Sequence, residues 1–538
     1  MTRFCVALIA FLALALTSTA QVGELPRSTP EAEGVNASLL NRFYGKISTL
    51  PEVDIHHLMV LRHGKVIGEL HAAPYRAEQL HTLYSASKTV TALAVGLAVD
   101  DGLLNINDKV SKYLRDKMPA TLSPALEKLT VRNVLMMSAG REPDLDLFMG
   151  EEDWLTAWFT GDFGEPGKQF KYDSMCTHAL AMIVARVTGK PMLDYVRERI
   201  FVPLHITEAD WELAPDSVEA AGWGLRLQTE SEAKLGLLML HDGQWNGQQL
   251  VSKQWVHDMT QRLISTKDIK HKLPLKTRIM NFLRGIWHTI RSWFTGYNID
   301  HYYLGYGYQT KAIQHPRVES FFAAGYGGQL IYVVPKLDMV IVINGRAANY
   351  GDELNTIYYE LLEPLIAKQQ PQASVPTPSL AIALPQGEAT HPLEDRLLGA
   401  TFKLNKDNLV GLQFIEVTRS GSDLVFTMTD WRGPLRAVAA CGEWRITTSD
   451  DRPIYIMESL EQLVGTKQPF TSAAAYAWQG DTLTMRMDWL DGGDNRRMKI
   501  HPEGNRITVI VNDNFDPLLN DTIQGELGVR SWELEVRS

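Results

Sequence analysis

The sequence predicts a mixed α/β domain that is followed, after a linker, by a smaller β-rich domain. Strand-like and helix-like segments share residues 24–367, a pattern typical of a sheet covered by helices. Five prolines and almost no hydrophobic periodicity mark 369–392 as a linker. Short alternating apolar and polar runs, separated by Gly, Asp and Asn, fill 393–538 and indicate a barrel or a sandwich.

Length and composition agree with this organisation. At about 100–200 residues per domain, 538 residues predict roughly two to four domains. The composition, 45% hydrophobic and 22% charged, is that of a globular protein. The net charge of −10, from 53 basic and 63 acidic residues, argues against nucleic-acid binding, which needs a basic surface. Three cysteines are too few for a disulfide scaffold or a cysteine-based zinc module, and we expect no metal or organic cofactor.

The N-terminus has the pattern of a secretory signal peptide. A basic start precedes an apolar run over Phe4–Leu16, and small residues follow at Ser18 and Ala20, which predicts cleavage after Ala20. The run is too short to span a bilayer, which takes about 20 residues; an uncleaved anchor is the alternative. The mature protein is expected to be secreted or periplasmic. Cys176 and Cys441 are expected to be free, buried thiols, and a disulfide between the domains is the alternative.

Hydrophobic periodicity places the elements of the first domain. His57–Leu70 reads as a hairpin, and Ser85–Ala98 reads as a helix that is apolar on all sides and therefore buried. Phe321–Ile343 is expected to form two adjacent strands, and Asp352–Ala367 a closing helix. Further helices are expected at Val131–Met137, Thr177–Thr188, Met192–Phe201, Ser231–Leu240 and Val251–Leu263.

The pattern Ser-x-x-Lys occurs twice, as Ser85-Ala-Ser-Lys88 and as Ser231-Glu-Ala-Lys234. On a helix, residues i and i+3 share one face, so either lysine can reach its serine. A lysine desolvated in an apolar helix loses its proton more readily and can act as a base on a hydroxyl, which favours the first site. Both serines can equally be helix N-caps, and the pattern alone does not decide.

The residues around this motif resemble those of the serine β-lactamase-related hydrolases, which include class C β-lactamases, penicillin-binding carboxypeptidases, family VIII esterases and 6-aminohexanoate-dimer hydrolases. The first motif matches over Leu83–Leu93, and the segment from Glu165 to Ser174 resembles the family's Tyr-x-Asn region. The run from Ala323 to Gly325 falls where the Lys/His-Thr-Gly motif lies, and Trp223–Leu240 resembles a structural helix. The resemblance covers roughly 30–367 and implies a β-lactamase-like α/β (α+β) fold over 21–368, with an antiparallel sheet flanked by helices and an all-α region.

Carried over residue by residue, the resemblance implies a serine hydrolase. Ser85 becomes the acylated nucleophile, Lys88 its general base, and Tyr172 a partner that shares or relays the proton. The backbone N–H groups of Ser85 and Tyr326 become the oxyanion hole. Ser174, Gly325 and Gln329 fall at substrate-binding positions, although an ordinary strand residue is the favoured interpretation of Gln329.

Two departures from the family pattern bear on the substrate. The second motif ends in Ser174 rather than Asn, and Ala323 and Ala324 replace the cation and the hydroxyl of the third motif. Those groups hold a substrate carboxylate through a charge-assisted contact, so their absence favours an esterase or amidase acting on a small, less charged molecule. A β-lactamase or D-Ala carboxypeptidase, and a non-catalytic ligand-binding or sensor protein, are the alternatives.

A basic amphipathic insertion interrupts the first domain at 265–300. Apolar residues including Trp287 and Trp293 recur at helical spacing over Arg278–Phe294, among arginines, and lysines precede this segment. Such a helix can lie on an anionic membrane surface. A helix packed on the catalytic domain, or a lid over its site, is the alternative and the more usual role of an apolar stripe.

The signal-peptide pattern makes a direct prediction about the exported protein. Cleavage after Ala20 gives a mature chain that begins at Gln21. N-terminal sequencing of protein recovered from an exported fraction should therefore read Gln-Val-Gly-Glu. An intact Met1 on membrane-bound protein would instead establish the uncleaved anchor.

Overall fold

The computed structural model describes residues 23–144, 153–266, 304–347, 350–369, 373–405, 407–430, 433–450, 469–513 and 520–530. The expected signal peptide, nearly all of the basic insertion and its segment Arg278–Phe294 lie outside the described residues. Within the described part, no helix is long and apolar enough to cross a membrane.

The first domain is built on an antiparallel sheet, with eight strands among the described residues. Across the sheet the strands follow in the order Lys65–His71, Val53–Arg62, Met339–Ala347, Gln329–Val334, Glu319–Gly325, Lys311–Gln314, Leu304–Tyr306 and Ile264–Ser265. The central strands are buried on both faces, which is why Gln329–Val334 and Met339–Ala347 read as continuous apolar runs rather than as alternating ones. The predicted hairpin is confirmed, with its turn at His63 and Gly64.

Phe321–Ile343 contains parts of three strands, not the expected two. The chain turns twice, first through Gly327 and Gly328 and again through Pro335–Leu337, where Asp338 takes a positive φ of 48°. The sequence does not reveal the second turn, because the strands on both sides of it are apolar. Lys336 and Asp338 are the only charged residues between those strands. The third strand, Met339–Ala347, pairs with Val53–Arg62 in the middle of the sheet.

Helices cover both faces of the sheet. The helix Ala37–Ile47 and the helical segments Gly351–Thr356, Ile357–Leu362 and Glu363–Ile366 lie on one face and share a core with it. The helix Thr229–Leu240 lies on the other face, and it approaches closely because a Cβ on Gly236 would be 2.6 Å from Cγ1 of Val340. A helical region extends from that face, and its helices are Ser87–Asp100, Ser111–Leu114, Pro124–Lys128, Val131–Leu135, Trp154–Thr160, Ser174–Thr188, Met192–Val196 and Lys253–Thr260.

The helix Ser87–Asp100, which we call the nucleophile helix because it follows the expected nucleophile Ser85, runs through the centre of this helical region. Its residues from Ser87 to Ala98 are all buried, which explains the apolar residues on every side. Gly96 lets Trp255 pack directly on the helix, since a Cβ there would be 2.3 Å from the indole Nε1. That indole N–H donates to the carbonyl of Ala92 at 3.0 Å, so the helix is fixed by a buried hydrogen bond as well as by packing.

The second domain is a β-barrel with its own apolar core. Its strands are Ala400–Leu404, Phe414–Ser420, Asp423–Asp430, Gly433–Cys441, Arg445–Ser449, Phe470–Gln479, Thr482–Trp489, Asn495–Glu503, Arg506–Asp513 and Asn520–Arg530. Neighbours pair antiparallel, and a short parallel pairing of Ala440 with Ala475 joins the edge strand Gly433–Cys441 to Phe470–Gln479, the last strand but one at the other edge. The alternating runs in the sequence therefore alternate between the barrel interior and its surface.

The linker is an extended strap that contacts both domains. The amide of Ile382 donates to the carbonyl of Ala73 at 2.9 Å, and Glu388 pairs with Trp478 of the barrel. The domains also meet directly: Asp54 of the sheet accepts hydrogen bonds from Arg486 and Arg497, both at 2.7 Å. Cys176 and Cys441 are free thiols as expected, although Cys441 is only partly buried.

Candidate active site

Lys88 lies in the first turn of the nucleophile helix, and Ser85 lies just before that helix begins. A 3₁₀ turn over Tyr84–Ala86 leads into the helix, so Lys88 stands one turn beyond Ser85 on the same face. The Lys88 ammonium Nζ donates to Ser85 Oγ at 3.1 Å. Ser85 is partly exposed, whereas Lys88 is only 1% exposed, which is the arrangement a surface-reachable nucleophile with a desolvated base requires.

Lys88 is held by acceptors from two further elements. Its Nζ donates to Ser174 Oγ at 3.1 Å and to the carbonyl of Gly222 at 2.6 Å. A Cβ on Gly222 would lie 3.0 Å from the Cβ of Ser174 and 3.5 Å from Lys88 Nζ, so glycine allows this close approach. Burial lowers the pKa of Lys88, and the charge of Lys311 acts in the same direction.

Tyr172 completes a cluster with Ser85 and Lys88. Lys88 Nζ lies 4.9 Å from the centroid of the Tyr172 ring. Burial alone would raise the pKa of Tyr172, but the charges of Lys88 and Lys311 and the hydrogen bond with Ser85 outweigh it and lower that pKa. Lys88 and Tyr172 both have lowered pKa values and both lie next to the Ser85 hydroxyl, so the pair is suited to accepting and returning the proton of that hydroxyl.

Asp173, which the sequence reasoning did not single out, fixes the residues on either side of it. As the N-cap of the helix Ser174–Thr188, its carboxylate accepts from the amide of Met175 at 2.9 Å and from the Trp158 indole at 2.8 Å. An Asp just before an apolar helical run is a recognisable N-cap signal. Because Asp173 is held in this way, Tyr172 and Ser174 both face Lys88.

Gly325 and Tyr326 lie beside the turn Tyr84–Ala86, which we call the nucleophile turn because it carries the expected nucleophile Ser85. A Cβ on Gly325 would be 2.0 Å from the carbonyl oxygen of Leu83, so only glycine lets this strand end approach the chain before Ser85. The ring of Tyr326 is 37% exposed and its centroid lies 5.7 Å from that of Tyr84. The residues proposed for the oxyanion hole are thus neighbours, and the roles of their N–H groups stay a prediction.

The structure corrects the expected role of Gln329 as a substrate-binding residue. Its side chain is fully buried, and its amide nitrogen donates to the carbonyls of Tyr326 at 3.0 Å and Gly345 at 2.8 Å. Its oxygen accepts from the amide of Gly345 at 3.2 Å. Since these backbone groups occupy both ends of the carboxamide, Gln329 fixes the turn after Gly325 rather than contacting a substrate.

The second Ser-x-x-Lys pair is part of the scaffold. Ser231 is 3% exposed on the helix Thr229–Leu240, and Lys234 Nζ donates to the carbonyl of His205 at 3.2 Å. Its neighbour Glu232 is fully buried and accepts from Asn344 at 2.8 Å, and burial raises the pKa of Glu232. The charged residue within this second motif is therefore part of the domain interior and does not lie at an accessible site.

Lys311 is a cation near the site that sequence reasoning missed. It lies on the strand Lys311–Gln314, and its Nζ donates to the Tyr350 hydroxyl at 2.7 Å, over whose ring it sits at 4.3 Å. Its charge lowers the pKa of both Lys88 and Tyr172. The position of the third motif carries no cation, because Ala323 and Ala324 occupy it and are buried. No local pattern in the sequence relates Lys311 to that position.

Comparison with known proteins places the chain in a family. A family model described as "Beta-lactamase" matches residues 56–356, more than half of the 538 residues. The chain therefore belongs to the β-lactamase family of hydrolases, and the predicted β-lactamase-like fold is confirmed.

Individual relatives are distant. The 6-aminohexanoate-dimer hydrolase of Paenarthrobacter ureafaciens is 25% identical over 270 residues, which are 45% of this chain and 67% of that protein. Protein flp of Staphylococcus aureus is 26% identical over 156 residues, 28% of this chain, and the match spans only 31% of flp. The solved octameric penicillin-binding protein homologue from Pyrococcus abyssi aligns over 91% of this chain and 100% of its own, with a TM-score of 0.46 and 15% identity.

The charge of Lys311 predicts a shift in the pH dependence of activity. A Lys311→Met substitution removes a positive charge that lowers the pKa of Lys88 and of Tyr172, so both pKa values rise. A base with a raised pKa becomes protonated at higher pH, so the acidic limb of the kcat/KM profile moves to higher pH. The profile is measured with a nitrophenyl ester that carries no ionisable acyl group.

The matched control is Lys336→Met, which removes an exposed lysine whose Nζ donates to the carbonyl of Arg317. That variant should keep the acidic limb of the unmodified protein. A limb that stays in place, or moves to lower pH, in Lys311→Met contradicts the electrostatic role of Lys311.

Proposed function

We propose that this protein is an exported serine hydrolase that cleaves small esters or amides through an acyl-enzyme on Ser85. The observation that carries the proposal is the position of the buried Lys88 amine, 3.1 Å from Ser85 Oγ and beside Tyr172. A buried amine with a lowered pKa next to a reachable hydroxyl is the arrangement expected of an activated nucleophile.

In the first half of the reaction, Ser85 Oγ attacks the substrate carbonyl carbon as its proton passes to the Lys88–Tyr172 pair. The oxyanion formed is stabilised by the backbone N–H groups of Ser85 and Tyr326, and one such donor is typically worth about 10²–10³ in rate. The bond from the carbonyl carbon to the leaving oxygen or nitrogen then breaks, and the pair returns the proton to that atom. The product is an ester of Ser85 and a free alcohol or amine.

In the second half, water attacks the Ser85 ester while the same pair removes its proton. Collapse of the second oxyanion restores the Ser85 hydroxyl and releases the acid. Because Lys88 and Tyr172 influence each other's charge, the protons belong to the pair and are not assigned to one residue. The balance of atoms needs only substrate and water.

The residues around the cluster support a substrate without a strongly bound carboxylate. Ala323 and Ala324 offer no side-chain donor where the third motif lies, and Ser174 offers a hydroxyl in place of a carboxamide. The Ser174 hydroxyl is itself a partner of Lys88. The relative named 6-aminohexanoate-dimer hydrolase is in keeping with a small amide as the substrate.

Lys311 favours a second candidate, hydrolysis of a β-lactam or a D-Ala peptide. It supplies a positive charge close enough to act on Tyr172 and Lys88, although from a neighbouring strand. A carboxylate-bearing substrate held by Lys311 would lose affinity in Lys311→Met, whereas a neutral ester would not. Nitrocefin and a neutral ester, compared in the same variant, separate the two candidates.

Export and membrane contact belong to the proposal as well. The signal-peptide pattern supports a secreted or periplasmic protein, and Arg278–Phe294 supports peripheral contact with an anionic membrane. Sedimentation with anionic liposomes, lost in Trp287→Ala, is the expected result for the latter. No sedimentation of either protein would overturn it.

Ser85→Ala tests the proposal against both the second Ser-x-x-Lys pair and a non-catalytic protein. We expect it to abolish labelling by a fluorophosphonate and hydrolysis of a nitrophenyl ester, with the folded structure retained, because the attacking oxygen is removed. Ser231→Ala is the matched control and should keep both activities, since Ser231 is buried on a scaffold helix.

Labelling that persists in Ser85→Ala contradicts the assignment. A protein that hydrolyses no member of an ester, amide and nitrocefin panel, yet is stabilised by one of those compounds, is instead a ligand-binding protein on the same fold.

A further inference from the structure

A loop of the β-barrel lies directly behind the nucleophile turn. This loop, residues 490–494, joins the strands Thr482–Trp489 and Asn495–Glu503. A Cβ on Gly493 would be 2.2 Å from Nε2 of His81, and one on Gly492 would be 3.8 Å from Oγ1 of Thr82. The barrel therefore packs on side chains of the stretch that leads to Ser85, and only glycine allows so close a contact at Gly493.

Tyr84, the residue immediately before Ser85, is anchored to this loop. Its φ of +46° is in the left-handed region, which a bulky residue adopts only when its surroundings hold it there. Its side chain is 2% exposed, and its hydroxyl donates to the carboxylate of Asp494. Asp494 thus holds the far end of the side chain whose backbone sets the direction of Ser85.

Arg346 extends this anchor to the second expected oxyanion donor. Its guanidinium is fully buried and forms an ion pair with Asp494, with 3.5 Å between Nη2 and Oδ1. The same guanidinium lies 5.6 Å from the ring centroid of Tyr84 and 5.2 Å from that of Tyr326. A Cβ on Gly327 would be 2.4 Å from its Nη1, so the turn after Tyr326 is packed on Arg346.

We propose that Asp494 of the β-barrel is a positioning residue for the active site, acting through Tyr84 and Arg346 on the backbone N–H groups of Ser85 and Tyr326. The inference rests on the proposed function, because those two N–H groups matter only if Ser85 is acylated. It gives the second domain a role in the chemistry of the first: the oxyanion donors are aligned only when the barrel is docked.

A second contact of the same kind provides a matched control within the same interface. Asp488 of the barrel accepts from the Tyr75 hydroxyl at 3.4 Å and pairs with Arg486 at 2.7 Å. Each contact therefore joins a tyrosine of the first domain to a buried carboxylate of the second, with an arginine beside it. Tyr75, however, is ten residues before Ser85 in the sequence, and it stacks on His56 rather than on the nucleophile turn.

The experiment compares Tyr84→Phe with Tyr75→Phe in the full-length protein. Each removes one hydroxyl from the domain interface, so a merely structural role would lower stability and activity alike in both. We expect Tyr84→Phe to lower kcat, and the rate constant of fluorophosphonate labelling, by about 10- to 100-fold, with KM changed less than about threefold. Tyr75→Phe should stay within about threefold of the unmodified protein in all three quantities.

Equal effects of the two substitutions, or full activity of Tyr84→Phe, overturn the proposal. If Tyr84→Phe does not fold, Asp494→Asn and Asp488→Asn are compared in the same way, and equal labelling rates again overturn it. The proposed function fails on a different result, labelling that survives Ser85→Ala. Labelling that depends on Ser85 but is unaffected by Tyr84→Phe refutes the positioning role alone.

Discussion

The burial of one amine, that of Lys88, is the constraint on which the rest of the site depends. Removing an ammonium group from water is costly unless it is neutralised or well supplied with acceptors. Lys88 receives three acceptors, Ser85 Oγ, Ser174 Oγ and the Gly222 carbonyl, from three separate parts of the chain. The nucleophile helix, the helix N-capped by Asp173 and the loop around Gly222 must therefore all be in place together. The same burial lowers the pKa of Lys88, so the constraint on folding is also what suits Lys88 to the role of base in the proposed mechanism.

Charged groups outside the cluster of Ser85, Lys88 and Tyr172 also act on it. Lys311 lowers the pKa values of Lys88 and Tyr172 without replacing the missing third motif in its own position. Behind Ser85, the pair formed by Asp494 and Arg346 connects the barrel to the tyrosines on either side of the expected oxyanion hole. Lys311 thus lowers the pKa values of the site from a neighbouring strand, and the second domain supports the chain around Ser85 on the other side.

Short-range patterns in the sequence were enough to predict a mixed α/β domain followed by a β-rich domain, and the structure brings Ser85, Lys88 and Tyr172 together. The hairpin, the buried helix after Ser85 and the change to a β-rich domain follow from periodicity, and the family resemblance assigned roles to Ser85, Lys88 and Tyr172. What sequence reasoning missed depends on contacts between distant residues. Lys311 comes near the cluster because its strand pairs with Glu319–Gly325. The side chain of Gln329 donates a hydrogen bond to the backbone of Gly345, 16 positions later. Asp494 accepts a hydrogen bond from the hydroxyl of Tyr84, 410 positions earlier in the chain.

The central claim is that Ser85 is acylated with the help of the buried Lys88. Reaction with a nitrophenyl carbamate, followed by peptide mass spectrometry, tests it most directly, because a carbamoyl group on serine is released slowly. The peptide 77–88 contains both Ser85 and the buried Ser87, whose hydroxyl accepts from the amide of Leu225, so fragmentation must distinguish them. The account predicts a carbamoyl group on Ser85 in the unmodified protein and none in Lys88→Met. A carbamoyl group on another residue, or equally fast modification of Ser85 in Lys88→Met, would contradict it.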